Sequence, residues 1–191
     1  MHGHIGSIGS LAMMNRDESG DVIELVTRLG KELTRRGWML GTAESCTGGL
    51  LAGAMTSVPG SSRWFDRGYV TYSNEAKVVD LQVPLETIDT FGAVSEPVAL
   101  EMANGVLLAS LGAHLAVSTT GIAGPEGGTP GKPVGLVCFG FAMRAGEGIT
   151  TLAATHVFQG DRAQIRNAAV LFALRGLLEM MGVREAELDV A

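Results

Sequence analysis

The sequence predicts an α/β domain: a mainly parallel sheet covered by helices on both faces and made mixed by an antiparallel hairpin near the end. Three observations carry this. Short apolar segments of strand character alternate with segments whose apolar residues recur at helical spacing. The connector M-R-A-G-E-G at 143–148 is too short for a parallel crossover, so the strands it joins are antiparallel neighbours. Three polar, glycine-marked turns each follow a strand, which gathers them at the sheet edge where ligands of such folds bind.

Residues 1–20 mix Gly, Ser and His without a charged start or a sustained apolar stretch. They read as a flexible tail rather than a secretory signal, and residues 21–191 as one domain. Asp21 to Arg36 is a helix by the recurrence of Val22, Val26, Leu29 and Leu33. Asp21 with Glu24 resembles a capping box, and Gly37 a C-terminal stop. W-M-L-G-T-A at 38–43 is a short buried strand. After the E-S-C-T turn, G-G-L-L-A-G-A-M-T-S suits a helix of small residues, broken by Val58-Pro59-Gly60. Gly68 to Ser73 alternates as a strand, and Asn74 caps the short helix N-E-A-K-V-V-D-L. Pro84 to Phe91 forms another helix, ended by Gly92. Ser95 caps a longer one, with Pro97 in its first turn and Val98, Met102, Val106 and Leu107 inward. H-L-A-V-S-T-T at 114–120 is a third strand, followed by a long glycine-rich loop at 121–133. V-G-L-V-C-F-G-F-A and I-T-T-L-A-A-T-H-V-F form the hairpin. Asp161 and Gln164 make a second capping-box pattern and open a last helix running to about Met181.

A chain of 191 residues, 46% hydrophobic and 18% charged, builds a folded core rather than staying disordered. Its formal net charge of −6 and the lack of a Lys/Arg stripe argue against a nucleic-acid surface. No apolar run reaches the roughly 18 residues of a membrane span. Cys46 and Cys138 have no metal-ligand spacing, and with no export signal they are expected as free thiols in the cytoplasm. His2 and His4 belong to the tail and are not read as a metal clip.

T-A-E-S-C-T-G-G at 42–49 is the candidate reactive turn. A strand passing into a helix aims backbone N–H groups and a dipole at whatever binds there, and Gly48 and Gly49 permit close approach. Taken alone, Ser45 or Thr47 as a simple N-cap explains the turn better. The pattern is not G-x-S-x-G, so no α/β-hydrolase elbow is indicated. A serine nucleophile needs a base. His114 begins a strand and His156 lies near the end of a hairpin, with no acid placed to orient either, so a Ser-His-Asp triad is poorly supported. Lys77 is the better base. It sits three residues after Asn74, near the positive end of a short helix, where dipole and partial burial both push its pKa down. Tyr72, ending the preceding strand, can relay a proton or hold the lysine. On spacing alone, a surface lysine and an ordinary strand tyrosine fit equally well. Cys46 is intrinsically more nucleophilic, but adjacent residues leaving a strand point opposite ways, which suits Cys46 packed beneath the turn. The glycine-rich loop resembles a phosphate cradle without the P-loop pattern. Arg162 and Arg166 are cations in the first turns of a helix, placed to meet a phosphate or to pair with an acid. From these turns, substrate contacts are expected of Cys46, Thr47, Gly48, Gly49, Asn74, Gly121, Gly124 and Arg166.

T-A-E-S-C-T-G-G, G-S-S-R-W-F-D-R-G-Y-V-T-Y-S-N-E-A-K, G-A-V-S-E-P-V and T-G-I-A-G-P-E-G-G-T-P-G-K-P-V-G occur in this order. With them the chain resembles the CinA C-terminal-domain family, whose stand-alone members are PncC-type nicotinamide-nucleotide amidases, over residues 22–181. The resemblance implies a three-layer α/β/α sandwich with a mixed five-stranded sheet, commonly as a homodimer. It implies hydrolysis of the carboxamide of nicotinamide mononucleotide to nicotinate mononucleotide and ammonia, with no cofactor or metal. It assigns the nucleophile to Ser45 and the supporting roles to Lys77 and Tyr72; the N–H groups at the start of the next helix, those of Cys46 and Thr47, are then expected to face the oxyanion. Two other readings stay open. One is a binding module without turnover, in line with the competence and DNA-damage origin of the family name. The other is an amidase for a different pyridine amide.

Overall fold

The computed structural model describes residues 18–146 and 148–183. The tail at 1–17, with His2 and His4, lies outside the described residues. Helix α1 (Glu18–Arg36) buries Val26, Leu29 and Leu33 completely. It begins before the expected boundary, so Asp21 lies inside it and the Asp21–Glu24 pair does not open it. Gly37, at φ 66°, ends it as expected. Strand β1 (Leu40–Glu44) is buried throughout. Helix α2 (Leu50–Thr56) follows the turn, and its N-cap is Gly49, left-handed at φ 96°, rather than Ser45 or Thr47. A 3-10 turn at Ser61–Arg63 leads into β2 (Phe65–Val70), which starts and stops earlier than its alternation suggests. Tyr72 therefore lies beyond the strand, not at its end. Helix α3 (Asn74–Leu81) is capped by Ser73, whose Oγ accepts from the Ala76 N–H, so Asn74 is the first helical residue and not the cap.

Helix α4 (Leu85–Phe91) stops at Gly92. Helix α5 (Glu96–Ala109) is capped by Ser95, and Val98, Met102, Val106 and Leu107 are fully buried along it. Strands β3 (Leu115–Gly121), β4 (Leu136–Ala145) and β5 (Gly148–Val157) precede α6 (Arg162–Met180). The Asp161–Gln164 capping box opens α6 with both reciprocal bonds formed.

The sheet runs β2-β1-β3-β4-β5. β1 pairs parallel with β2 and β3, while β4 is antiparallel to both β3 and β5. Four strands thus point one way and β4 alone reverses. Helices α1, α2 and α6 cover one face, sharing a core that includes Leu29, Leu40, Phe139 and Leu174. Helices α3, α4 and α5 cover the other, around Leu81, Met102 and Ala116. This is a three-layer α/β/α sandwich. α5 lies so close to the sheet that a Cβ on Gly140 would stand 2.2 Å from the Ala99 carbonyl oxygen. The forward ends of β1, β2 and β3 therefore share one rim, which the start of α6 also reaches.

Candidate active site

The site is built from the period-two alternation of β1. Glu44 turns toward α2, where its carboxylate accepts from the N–H groups of Gly49, Leu51 and Ala52 at 2.8–3.0 Å. Ser45 must then face the opposite side, and its N–H continues the ladder to the Thr119 carbonyl at 2.9 Å. Cys46 swings back and is buried in the core with α1, α2 and α6. Adjacent nucleophiles thus point apart, as the alternation predicts. On the Ser45 side, α3 sends in Lys77, which is 1% exposed and among the largest fully buried side chains. Its Nζ stands 3.2 Å from Ser45 Oγ, 2.7 Å from the Thr71 carbonyl oxygen and 3.5 Å from the Tyr72 carbonyl oxygen.

Burial pushes the Lys77 pKa down from its ordinary value. Among the described residues no carboxylate forms an ion pair with it. The Cys46 thiol is pushed up to about 12, chiefly by burial and further by the Glu44 charge. A thiol protonated across the neutral range gives Lys77 no counter-charge. A neutral amine has two donors and one lone pair. Nζ has three oxygen neighbours here, the Thr71 and Tyr72 carbonyls and the Ser45 hydroxyl; a neutral amine would donate to the first two and turn its lone pair to the third.

The remaining expected residues surround this pair in different ways. The Tyr72 side chain is exposed, and its hydroxyl oxygen accepts from Arg162 Nη2 at 3.1 Å; only its backbone carbonyl faces Lys77. Asn74 is exposed at the first turn of α3. Gly48 adopts φ 59° beside the Arg166 guanidinium. Gly121 closes β3, where a Cβ would come within 2.6 Å of the Leu136 carbonyl oxygen. Gly124, at φ 77°, accepts from Arg162 Nη1 at 2.7 Å. Arg166 donates from Nε to the Cys46 carbonyl at 3.1 Å and from Nη2 to the Thr47 carbonyl at 2.8 Å. Neither arginine forms an ion pair with a carboxylate among the described residues. They hold the reactive turn and the glycine-rich loop instead. The N–H groups of Cys46 and Thr47 lie against the Cys46 sulfur, where they lower its pKa without overcoming burial. The α2 N-terminus is no open anion site, because Glu44 fills it.

His114 accepts from the Met39 N–H through Nδ1 and stacks on Trp38, at the far end of β3. His156 packs on Phe158 and Phe172. The glycine-rich loop is pinned by Lys132, whose Nζ donates to the Phe91 carbonyl at 2.7 Å. Three features escape the sequence reading: the capping role of Glu44, the Thr71 carbonyl on Lys77, and the Arg162 bridge. Only the first has a local signal, an acid at a strand end ahead of a helix with no capping side chain of its own.

The profile of the CinA C-terminal domain matches residues 22–181. The nicotinamide-nucleotide amidohydrolase PncC of Escherichia coli strain K12 is 50% identical over 157 residues, covering 82% of this chain and 93% of that protein. The protein of the same name from Enterobacter agglomerans is 52% identical over 155 residues, covering 81% and 92%. A CinA-like protein of Chlorobium phaeobacteroides is 56% identical over 143 residues, 74% of this chain, but the match spans only 34% of that longer protein. Among solved structures, the competence/damage inducible protein CihA from Agrobacterium tumefaciens superposes with a TM-score of 0.79 at 44% identity, covering 90% of this chain and 99% of that one. Profile, identity and superposition agree over the same folded region, and the chain belongs to the CinA C-terminal domain family.

Proposed function

We propose that this chain hydrolyses the carboxamide of nicotinamide mononucleotide, giving nicotinate mononucleotide and ammonia through an ester on Ser45. One observation carries the mechanism: the Nζ of a fully buried lysine stands 3.2 Å from the Ser45 hydroxyl. The amidohydrolase names of relatives at about half identity, over most of both chains, support the substrate. Neutral Lys77 takes the Ser45 proton as Oγ bonds the amide carbon. The oxyanion role falls to the N–H groups of Cys46 and Thr47, which must turn from the Cys46 sulfur toward Ser45 to fill it. The Lys77 ammonium then returns its proton to the amide nitrogen as the C–N bond breaks, and ammonia leaves. Water gives a proton to Lys77 and attacks the ester carbon. The C–Oγ bond breaks, Lys77 reprotonates Ser45, and the acid leaves, giving its remaining proton to solvent as the carboxylate forms.

Tyr72 sits at the rim with its hydroxyl on Arg162, where it orients the pyridine amide. Gly48, Gly49, Asn74, Gly121 and Gly124 line the approach, and Arg166 meets the phosphate with the N–H groups its carbonyl bonds leave over. Two buried free thiols suit a reducing cytoplasm. The reading includes a homodimer and no nucleic-acid partner. The test is incubation with nicotinamide mononucleotide, following ammonia and nicotinate mononucleotide, with mass spectrometry of the Ser45 peptide after rapid acid quench. Product together with an acylated Ser45 peptide is expected. Absence of both products rejects the activity; products formed equally well by Ser45→Ala reject the ester.

A further inference from the structure

Thr71 is completely buried, and its Oγ1 has no hydrogen-bond partner among the described residues. Buried hydroxyls are rarely left this way. The neighbouring ones at this rim are engaged: Thr47 and Thr119 share a 2.7 Å bond, and Thr120 donates to the Ala93 carbonyl at 2.7 Å. Thr42 Oγ1 is also spare, but it belongs to the Glu44 face of β1, toward α2. Thr71 is placed differently. Its N–H donates to the Glu44 carbonyl at 2.9 Å, which sets it alongside Ser45. Its own carbonyl is the nearest acceptor of Lys77 Nζ, at 2.7 Å. Tyr69 packs toward the α5 core and Val70 toward Gly49 at the start of α2, so alternation sends the Thr71 side chain to the face of Ser45 and Lys77.

We propose that the Thr71 hydroxyl is the acceptor that Lys77 takes up when it becomes an ammonium, making Thr71 a positioning residue for the base. This rests on the Ser45–Lys77 reading above. The neutral amine is satisfied by two carbonyls and the Ser45 hydroxyl. Once Oγ is bonded to carbon it is a poor acceptor, while Nζ now carries three N–H groups. The Tyr72 carbonyl contact is long, at 3.5 Å. Thr71 offers both its carbonyl and its hydroxyl on one residue. With those two holding the ammonium, the third N–H is free for the departing nitrogen. Among the described residues nothing else uses this hydroxyl.

The experiment compares Thr71→Val and Thr71→Ser in the whole chain, using nicotinamide mononucleotide and a thermal unfolding scan. Thr71→Val is expected to lose about tenfold or more in kcat with KM within about twofold, since a bond to a charged group is lost in the transition state alone. Its Tm is expected to stay level or rise, because an unpaired buried hydroxyl is gone. Thr71→Ser, which keeps the hydroxyl, is expected to hold kcat within about threefold. A fully active Thr71→Val overturns the inference. So does a Thr71→Val that fails to fold, or a Thr71→Ser that falls as far as Thr71→Val, since either makes the role one of packing. Ser45→Ala and Lys77→Met measured alongside separate the two claims. Turnover surviving in those variants rejects the Ser45–Lys77 reading and this inference with it. Their inactivity beside a fully active Thr71→Val rejects this inference alone.

Discussion

Two potential nucleophiles occupy adjacent positions, and burial separates them. The Cys46 thiol, held protonated up to about 12, lies in the core, whereas Ser45 meets the one buried lysine. Ser45→Ala is expected to fold normally and to lose nearly all amide hydrolysis. Cys46→Ala is expected to keep most of it, because the thiol is buried in the core away from Ser45. Ammonia release by the two purified variants checks this, and the reverse ranking would name the thiol instead. Lys77 makes a prediction about pH. Its pKa is lowered by burial, so the neutral base appears as pH rises through that lowered value, and the rate climbs with it, below the ordinary 10.5. The stability sign follows from the same shift. Between the lowered folded pKa and 10.5 the unfolded chain binds more protons than the folded one, so stability rises with pH across that window. It is greatest above 10.5, falls as pH drops, and levels off below the folded pKa. Lys77→Met lacks this slope and is inactive; urea titrations at several pH values detect the difference. Lys77→Arg keeps the charge and is also nearly inactive, because guanidinium does not release its proton. A fully active Lys77→Arg would show that position 77 serves only as a cation.

At the scale of elements, the short helix α2 depends on a side chain from the strand before it. Its cap residue is a glycine with no side-chain bond to offer, and Glu44 supplies three acceptor contacts from β1. This joins strand, turn and helix into one unit and fixes the direction in which Ser45 leaves the sheet. Glu44→Ala strips partners from three N–H groups and is expected to cost roughly 2–4 kcal/mol of stability. It should also lower kcat more than it raises KM, because the turn loosens around the nucleophile rather than around the substrate's far end. Denaturant unfolding and steady-state kinetics test both halves. A stability unchanged in Glu44→Ala would mean that the turn is held by Arg166 alone.

Across the whole molecule, the rim is assembled from distant parts of the chain. Arg166 reaches the Cys46 carbonyl across 120 positions of sequence, and Arg162 reaches Tyr72 across 90. Two cations therefore stand on the rim of a chain whose net charge is −6. On the proposed function they meet the phosphate of the mononucleotide. Nicotinamide riboside, which lacks that phosphate, is expected to show a kcat/KM at least about a hundredfold lower than the mononucleotide. Equal values for the two would show that the rim does not read the phosphate.

Local pattern alone determined the alternation of strands and helices, the antiparallel hairpin, the Ser95 and Asp161–Gln164 caps, and the opposed directions of Ser45 and Cys46. Each of these depends on residues close together in the chain, through the helical or two-residue period or a side chain bonding its own backbone. The tertiary structure alone decided that Lys77 is buried against Ser45, that the Tyr72 hydroxyl rests on Arg162, and that Arg166 grips the reactive turn. It also moved the α3 cap from Asn74 to Ser73 and ended β2 before Tyr72. These depend on how β1 pairs with β2 and β3 and on how far α3 sinks against the sheet. Desolvation, which sets the Lys77 pKa, is a property of that packing, and no periodicity in the sequence records it.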